Sequence, residues 1–436
     1  MPISKKRAAP QPGDPGYKTP TQLRNSRKRR KLKKEKTQAR LASSDREDPS
    51  LRYLAKPEAA PIVQQAIKFF EEKEEKFDVF VGPTDGWRTV AKLAVRSQQG
   101  ILRIGLFVPG THELLEVPQC QAHHPRINAA VEVLQKKCRK HGIKPFDEKT
   151  GKGSLRHVAI NVERSTGLQQ ITLVWSGDED EKEKLHGLCD SLLRVSRNND
   201  DRLTLHSLWV HYNYSWKHAN SIFDREGSWE KIFGSDAVTE ILDVDDHLTV
   251  PLQFKPQVFR QANIDAFSNI IVKIRSWLQD HPAKHCLELY GGVGTIGLHI
   301  VDLVKSLVSS DENPFNKNCF ETASGGLKVQ KPSKKTCKSI SYEAKNAVDM
   351  VPSIGDADLI IVDPPRKGLD EEVVTALCQE RAPRQLIYVS CGFPAFSRDF
   401  QSLTIRGEWK LAHAEGHILF PGSDAIETLA FFTRTE

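Results

Sequence analysis

Apolar and polar positions alternate differently in different parts of the chain, and the changes divide it. Residues 1–60 show no sustained apolar period. From Pro61 to Lys76, Ile62, Ala66, Phe69 and Phe70 fall at helical spacing and predict a short amphipathic helix. FDVFVG (77–82), TVAKLAVRS (89–97) and LRIGLFVPG (102–110) read as strands, with turns at Pro83–Gly86 and Gln98–Gly100. PRINAAVEVLQKKCRKHGI (125–143) is helical; LRHVAINVERS (155–165) and QQITLVWSG (169–177) predict a hairpin around Thr166–Gly167. Glu181 to Val195 is helical again, and SLWVHYNY (207–214) and LTVPLQF (248–254) are strand-like. Residues ~75–257 therefore read as a mixed α+β unit rich in antiparallel pairs.

The pattern changes at KPQVFRQANIDAFSNIIVKIRSWL (255–278), where Ile264, Phe267, Ile271, Ile274 and Leu278 alternate at three and four. This predicts a strong amphipathic helix with Asn263 as N-cap. Strand and helix then alternate. HCLELYGGVGTIGLHIVDLV (285–304) reads as strand, Gly-rich turn and helix, and SLVSSD (306–311) as a strand ending in acid. After a Lys- and Ser-rich insertion (325–338) come SISYEA (339–344), ADLIIVDPPRKG (357–368), a helix near Glu371–Gln379 and the strand in RQLIYVSCGF (384–393). WKLAHAEGHILF (409–420) and IETLAFFTR (426–434) close the chain. Such a series predicts an α/β, Rossmann-like doubly wound sheet with a C-terminal antiparallel hairpin. The expected division is a disordered basic tail (1–60), a smaller α+β domain (61–257) and a catalytic domain (258–436).

Composition narrows the class. Hydrophobic residues at 39% and charged residues at 27% fit a globular protein with a polar appendage. No apolar run approaches the ~18 residues of a membrane span, so no membrane association is expected. The eight Cys are scattered and none forms a C-x-x-C pair, which argues against a zinc ribbon or a disulfide framework and predicts no metal site. The formal charge of +7 suits a polyanion, and NSRKRRKLKKEK (25–36) concentrates it. Such a block is a nucleic-acid patch or a nuclear address. A nuclear location is expected, with chloroplast or mitochondrion as the alternative.

Five stretches carry candidate chemistry. Cys391 ends a buried strand, where open α/β sheets place their reactive groups; alone, a buried thiol is usually inert packing. GGVGTIG after a strand lets backbone approach a ligand, though nucleotide, flavin and S-adenosylmethionine sites share that turn. Asp311 ends the next strand about 20 residues on, where an acid grips ribose hydroxyls; a helix cap is the plain alternative. No P-loop is present, which disfavours a nucleotide triphosphatase. In VDPPRKG (362–368), two prolines give a rigid exit from which Asp363 projects as an acceptor. FPGSDAIETLAFF (420–432) supplies a turn and then Glu427, by itself a surface acid.

Taken together, FRQAN (259–263), LELYGGVGTIGL (287–298), DPPRKG (363–368), SCG (390–392) and FPGSDAIE (420–427) resemble the RNA 5-methyluridine methyltransferase family, in its order and spacing. GWRTVAKLAVR (86–96) and THELLEVPQCQAHHPRINAAVE (111–132) are similar to the preceding domain of plant and bacterial members. The resemblance implies an S-adenosylmethionine-dependent RNA (uracil-5-)-methyltransferase acting on tRNA or rRNA, here expected as a monomer. It implies Cys391 as the nucleophile that adds to uridine C6 and Glu427 as the base that removes the C5 proton. Gln261, Tyr290, Thr295 and Asp311 match its cofactor-contacting positions, and Asp363 is expected to hold a base or ligand edge.

The chain departs from the family pattern in places. Of the upstream cysteines that hold an iron–sulfur cluster in some members only Cys120 matches, so no cluster is expected. The N-terminal RNA-binding barrel is not evident. His-Thr-x-His before the base Glu is replaced by Gly422, Ser423, Asp424 and Ala425. Lys345 stands where an acid or amide usually meets the cofactor adenine. Lys345 and the missing modules motivate the alternative, a catalytically weak RNA-binding or chaperone protein on the same fold. Methylation of another base atom is a third reading; the Cys391–Glu427 pair disfavours it, because exocyclic nitrogen methylation needs no covalent thiol adduct.

Overall fold

The structure is a computed structural model that describes residues 48–177, 181–198, 200–214, 222–224, 226–329 and 337–434. The basic block at 25–36 lies outside the described residues, as does most of the expected tail. Among the described residues no helix is long and apolar enough to cross a membrane.

The first elements are helix α1 (Pro61–Glu71) and strand β1 (Phe77–Val81). Next come β2 (Val90–Gln98), β3 (Ile101–Phe107), β4 (Leu114–Leu115), α2 (Pro125–Lys140), β5 (Leu155–Val162) and β6 (Gln169–Trp175). Helix α3 (Lys182–Arg197), β7 (Leu205–Tyr212) and β8 (Ser228–Gly234) complete the unit. Its seven strands pair in the order β4-β3-β2-β5-β6-β7-β8, and β5–β6 is the expected antiparallel hairpin. Strands β6 and β7 run parallel, with α3 as their crossover. Helices α2 and α3 lay Ile127, Leu134, Leu185 and Leu192 against Val158, Ile160, Ile171 and Leu173, so this unit has its own core.

Strands β9 (Val238–Glu240), β10 (Leu248–Thr249) and β11 (Leu252–Phe254) lead to α4 (Ile264–Asp280). Asn263 caps α4 by accepting the Ala266 N–H at 3.1 Å. Then follow β12 (His285–Leu289), β13 (Ser306–Ser310), α5 (Pro314–Gly325), β14 (Lys328–Val329), β15 (Ser339–Glu343) and β16 (Leu359–Val362). The last elements are α6 (Glu371–Leu377), β17 (Gln385–Ser390), α7 (Phe393–Arg406), β18 (Lys410–Ile418) and β19 (Glu427–Thr433).

Eight strands form one sheet, ordered β1-β18-β19-β17-β16-β12-β13-β15. Strand β19 inserts antiparallel between β17 and β18, which is the expected closing hairpin on a doubly wound parallel sheet. Ile264, Phe267, Ile271 and Ile274 of α4 pack on one face against Ile387, Val389, Leu429 and Phe431. Helices α1, α6 and α7 cover the other face with Phe70, Val373, Phe393, Phe396 and Phe400. Each such side chain contributes about 1.5–3 kcal/mol when fully buried.

Three expectations are corrected. Residues 61–81 belong with the C-terminal sheet: β1 pairs with β18, and Phe70 stacks on Phe77 at 4.3 Å while packing among Phe393, Phe396 and Phe400. Residues 48–60 are ordered, because Gly422 accepts the Tyr53 N–H at 2.9 Å and a 3₁₀ turn forms at Pro57–Ala59. After GGVGTIG there is only a 3₁₀ turn, Gly297–Ile300, where an α-helix was expected. Its Gly297 N–H donates to the Glu288 carboxylate at 2.7 Å, so a side chain from the preceding strand takes a donor that a ligand was expected to use.

Candidate active site

Parallel register brings the carboxyl ends of β12, β13, β16 and β17 to one edge of the sheet, and antiparallel β19 begins there. Tyr290, Asp311, Asp363, Cys391 and Glu427 each sit at or one residue beyond one of these strand ends. That edge is where doubly wound sheets place ligands. Ser390 pairs with Thr428, so Cys391 follows directly across from Glu427.

The loops are locked together. A Cβ on Gly392 would stand 2.7 Å from the Arg366 carbonyl oxygen, so only glycine lets the SCG turn lie on the DPPRKG backbone. Buried Asp399 accepts the Leu369 N–H and the Tyr388 O–H, both at 2.8 Å, and so fixes that loop from below. The turn before Glu427 is held by residues far away in the chain. Asp424 accepts the Ile62 N–H at 2.8 Å, 362 residues distant.

At the Gly-rich turn, Gly294 has φ +81° and its missing Cβ leaves room for Phe320, 2.5 Å from where that atom would be. Tyr290 adopts φ +57°, which an aromatic residue rarely does. Its hydroxyl donates to Asp370 at 3.0 Å and holds it there. Asp311 accepts the Gly292 N–H at 3.2 Å and the Asn313 N–H at 2.9 Å. Thr295 lies within the turn, its carbonyl accepting from buried His299 at 2.7 Å. Gln261 is half-buried in the lead-in to α4; that segment joins the β13 end where Asn313 donates to the Gln257 carbonyl at 3.1 Å. Lys345 follows β15 and pairs with Glu343 at 3.1 Å, so its charge is balanced within the chain.

Burial dominates the electrostatics. It pushes the Asp363 carboxyl up to about 7, with Glu288 and Asp311 adding to the effect. Glu427 is driven well above the usual carboxylate range by burial and then by Asp363, against the pull of Arg366. Burial, Glu427 and Asp363 push the Cys391 thiol up to about 12, and Arg366 again opposes them. The cluster therefore joins a neutral thiol to two carboxyls that resist ionising together, with one guanidinium favouring charge on the thiol and on Glu427. Such a group can exchange protons with one another and with a bound ligand.

Arg366 and Glu288 were not singled out from the sequence. Glu288 had a signal, a lone acid inside the buried strand LEL; its carboxylate also accepts the Ser309 hydroxyl at 2.5 Å. Arg366 had only its place in DPPRKG. Cys120, the one cysteine at a cluster position, donates its thiol to Asp48 at 2.8 Å and burial pushes it up to about 11.

No family model matches the chain. Among curated proteins, an uncharacterized RNA methyltransferase of Protochlamydia amoebophila is 36% identical over 375 residues, 86% of this chain and 92% of its own length. An uncharacterized RNA methyltransferase of Lactococcus lactis is 27% identical over 355 residues, 80% of this chain and 72% of its own. The tRNA (uracil-54, C5)-methyltransferase of Pyrococcus abyssi, solved with S-adenosyl-L-homocysteine, superposes with a TM-score of 0.63. It covers 84% of this chain and 81% of its own at 19% identity, a likeness of fold.

Proposed function

The chain belongs to the RNA methyltransferase family of its curated relatives, and we propose that it methylates uridine C5 in tRNA or rRNA through a covalent bond between Cys391 and C6. The observation that carries this is the meeting of Cys391, Glu427 and Asp363 on one sheet edge beside the Gly-rich turn. The activity named for the Pyrococcus protein of like fold supports the same reading.

The edge fits S-adenosylmethionine. Asp311 is oriented by two backbone N–H groups, and a carboxylate has acceptor sites beyond those two for hydroxyl donors. Gln261, Tyr290, Thr295 and Asp311 would hold the cofactor, with Asp363 at the strand end between it and the base. When bound, S-adenosylmethionine supplies an electrophilic methyl group.

The chain's residues supply the rest. The target base leaves its stack to reach the edge. Cys391 passes its proton to the neighbouring Asp363 carboxylate, the Arg366 guanidinium favouring the thiolate, and Sγ bonds to C6; the C5=C6 electron pair moves onto C5, which becomes nucleophilic. After methylation Glu427 takes the C5 proton, and the Sγ–C6 bond breaks. With unmodified RNA transcripts and S-adenosylmethionine, Cys391→Ala should abolish both adduct and 5-methyluridine. Glu427→Gln should add and methylate but stall before release, so protein–RNA adducts accumulate on denaturing gels. Normal turnover by Glu427→Gln would remove Glu427 from the role of base.

A further inference from the structure

Strand β18 carries His413, Glu415 and His417 at alternate positions, so the three side chains share a face. That face lies under α4, whose Lys273 stands 3.6 Å from Glu415. Across the β18–β19 ladder, His417 is paired directly with Glu427. Directly opposed residues point to the same face with Cβ atoms about 4.5–5.5 Å apart. On its other side His417 is paired with Phe80 of β1, whose ring stacks on the imidazole at 5.4 Å. A single row across the sheet thus reads Phe80, His417, Glu427 and then Cys391.

His417, Glu415 and Glu427 are all buried, at 3%, 2% and 4% exposure. His417 Nε2 lies 2.9 Å from Glu415 Oε1, and His413 Nε2 lies 3.2 Å from Oε2. Burial pushes the Glu415 carboxyl up, but the hydrogen bonds from His417 and His413 outweigh it and hold the group below its ordinary value. Glu415 is therefore an ionised acceptor that engages Nε2 of His417, and the other ring nitrogen, Nδ1, takes no part in that hydrogen bond. Nothing in the mechanism so far uses this arrangement. Yet Glu427, held well above the usual carboxylate range, keeps the proton it removes unless another group accepts it.

We infer that His417, oriented by Glu415, is the positioning residue that takes from Glu427 the proton removed from C5. The inference rests on Glu427 being the base. In the step, the C5–H bond breaks and its proton goes to the Glu427 carboxylate. The C–H electron pair becomes the C5=C6 double bond as the Sγ–C6 pair returns to sulfur. Glu427 then passes the proton to Nδ1 of His417, giving an imidazolium beside ionised Glu415. Water takes that proton once product has left. The charged and titratable groups facing this row are Glu415 and His413 of β18, Lys273 of α4, Glu427 of β19, and Asp363, Arg366 and Cys391 beyond it.

The test uses the full chain, S-adenosylmethionine and a pool of unmodified tRNA and rRNA transcripts made with uridine or 5-fluorouridine. Adduct formation and release are followed by rapid quench between pH 6 and 9. His417→Gln should form the 5-fluorouridine adduct at the wild-type rate, because no C5 proton is removed there. On uridine RNA its release should fall about 10²-fold at neutral pH, the usual scale of one proton-transfer group. The deficit should shrink as pH rises and hydroxide replaces the imidazole. Release at the wild-type rate, or a deficit equal at every pH, overturns the relay. If His417→Gln does not fold, Glu415→Gln keeps the imidazole and decides: slowed release with the same pH trend supports the relay, and wild-type release overturns it. Glu427→Gln in parallel separates the two claims. If it stalls while His417→Gln releases normally, only the relay falls; if it releases normally, the base reading falls first.

Discussion

Glu288 is a carboxylate that the fold forces into its interior, accepting the Gly297 N–H and the Ser309 hydroxyl beneath the Gly-rich turn. Burial raises it to about 7, although those hydrogen bonds favour its charged form. A carboxyl whose folded pKa lies above its unfolded value binds protons more tightly when folded. Its contribution to stability is complete below the unfolded value and is lost as pH rises through about 7. Glu288→Gln should therefore gain on the wild type between pH 5 and 8, by roughly 1–3 kcal/mol. Urea unfolding at both pH values checks this, and a difference that does not change with pH would contradict it. At this scale the sequence was informative where a residue type was out of place, as with an acid inside LEL. It was silent on His417, because cross-strand neighbours are set by register, and nothing local in WKLAHAEGHILF shows which strand lies beside it.

At the scale of elements, α1 shows how distant pieces of chain support the site. Its N-cap residue, Ala60, offers no side chain to the first turn, and Asp424 serves instead by accepting the Ile62 N–H. The same bond braces the turn that leads into Glu427. Asp424→Ala should thus cost about 1 kcal/mol, as other lost caps do. It should leave adduct release unchanged in rapid quench, since a group committed to a helix end is not the base; slowed release would make Asp424 a candidate for that role. The amphipathic period of α4 and its Asn263 cap were legible because both are local properties of sequence. The placement of β1 was not. FDVFVG looks like its neighbours β2 and β3, and only the packing of Phe70 and Phe77 beside α7 sends it to the other sheet. The expected helix after GGVGTIG is only a 3₁₀ turn, and the buried Glu288 carboxylate that takes its Gly297 N–H comes from the strand before it, a contact that the turn's own residues do not announce.

Across the whole molecule, the two sheets are joined by charge as well as by chain. Glu240, 2% exposed, receives Arg260 from the FRQAN segment and Arg164 from the end of β5. Arg260 also donates to the Val162 carbonyl at 3.0 Å, and Arg164 reaches Asp265 at the start of α4. Buried charges hold only when paired, so this cluster fixes the N-terminal unit against the helix that flanks the site. The cationic block at 25–36 lies outside the described residues, and we propose that it contacts RNA phosphates. Removing residues 1–45 should weaken RNA binding and flatten its salt dependence by up to about one unit of slope per lost contact, with site choice retained. An unchanged slope would leave the block a nuclear address, read out by the location of a fluorescent fusion. The central claim is covalent catalysis by Cys391, and 5-fluorouridine RNA tests it most directly, because fluorine cannot leave C5 as a cation. Mass spectrometry of the trapped complex should find a methylated 5-fluorouridine nucleotide on the peptide containing Cys391. Methylated RNA with no adduct, or an adduct on another residue, would contradict the account.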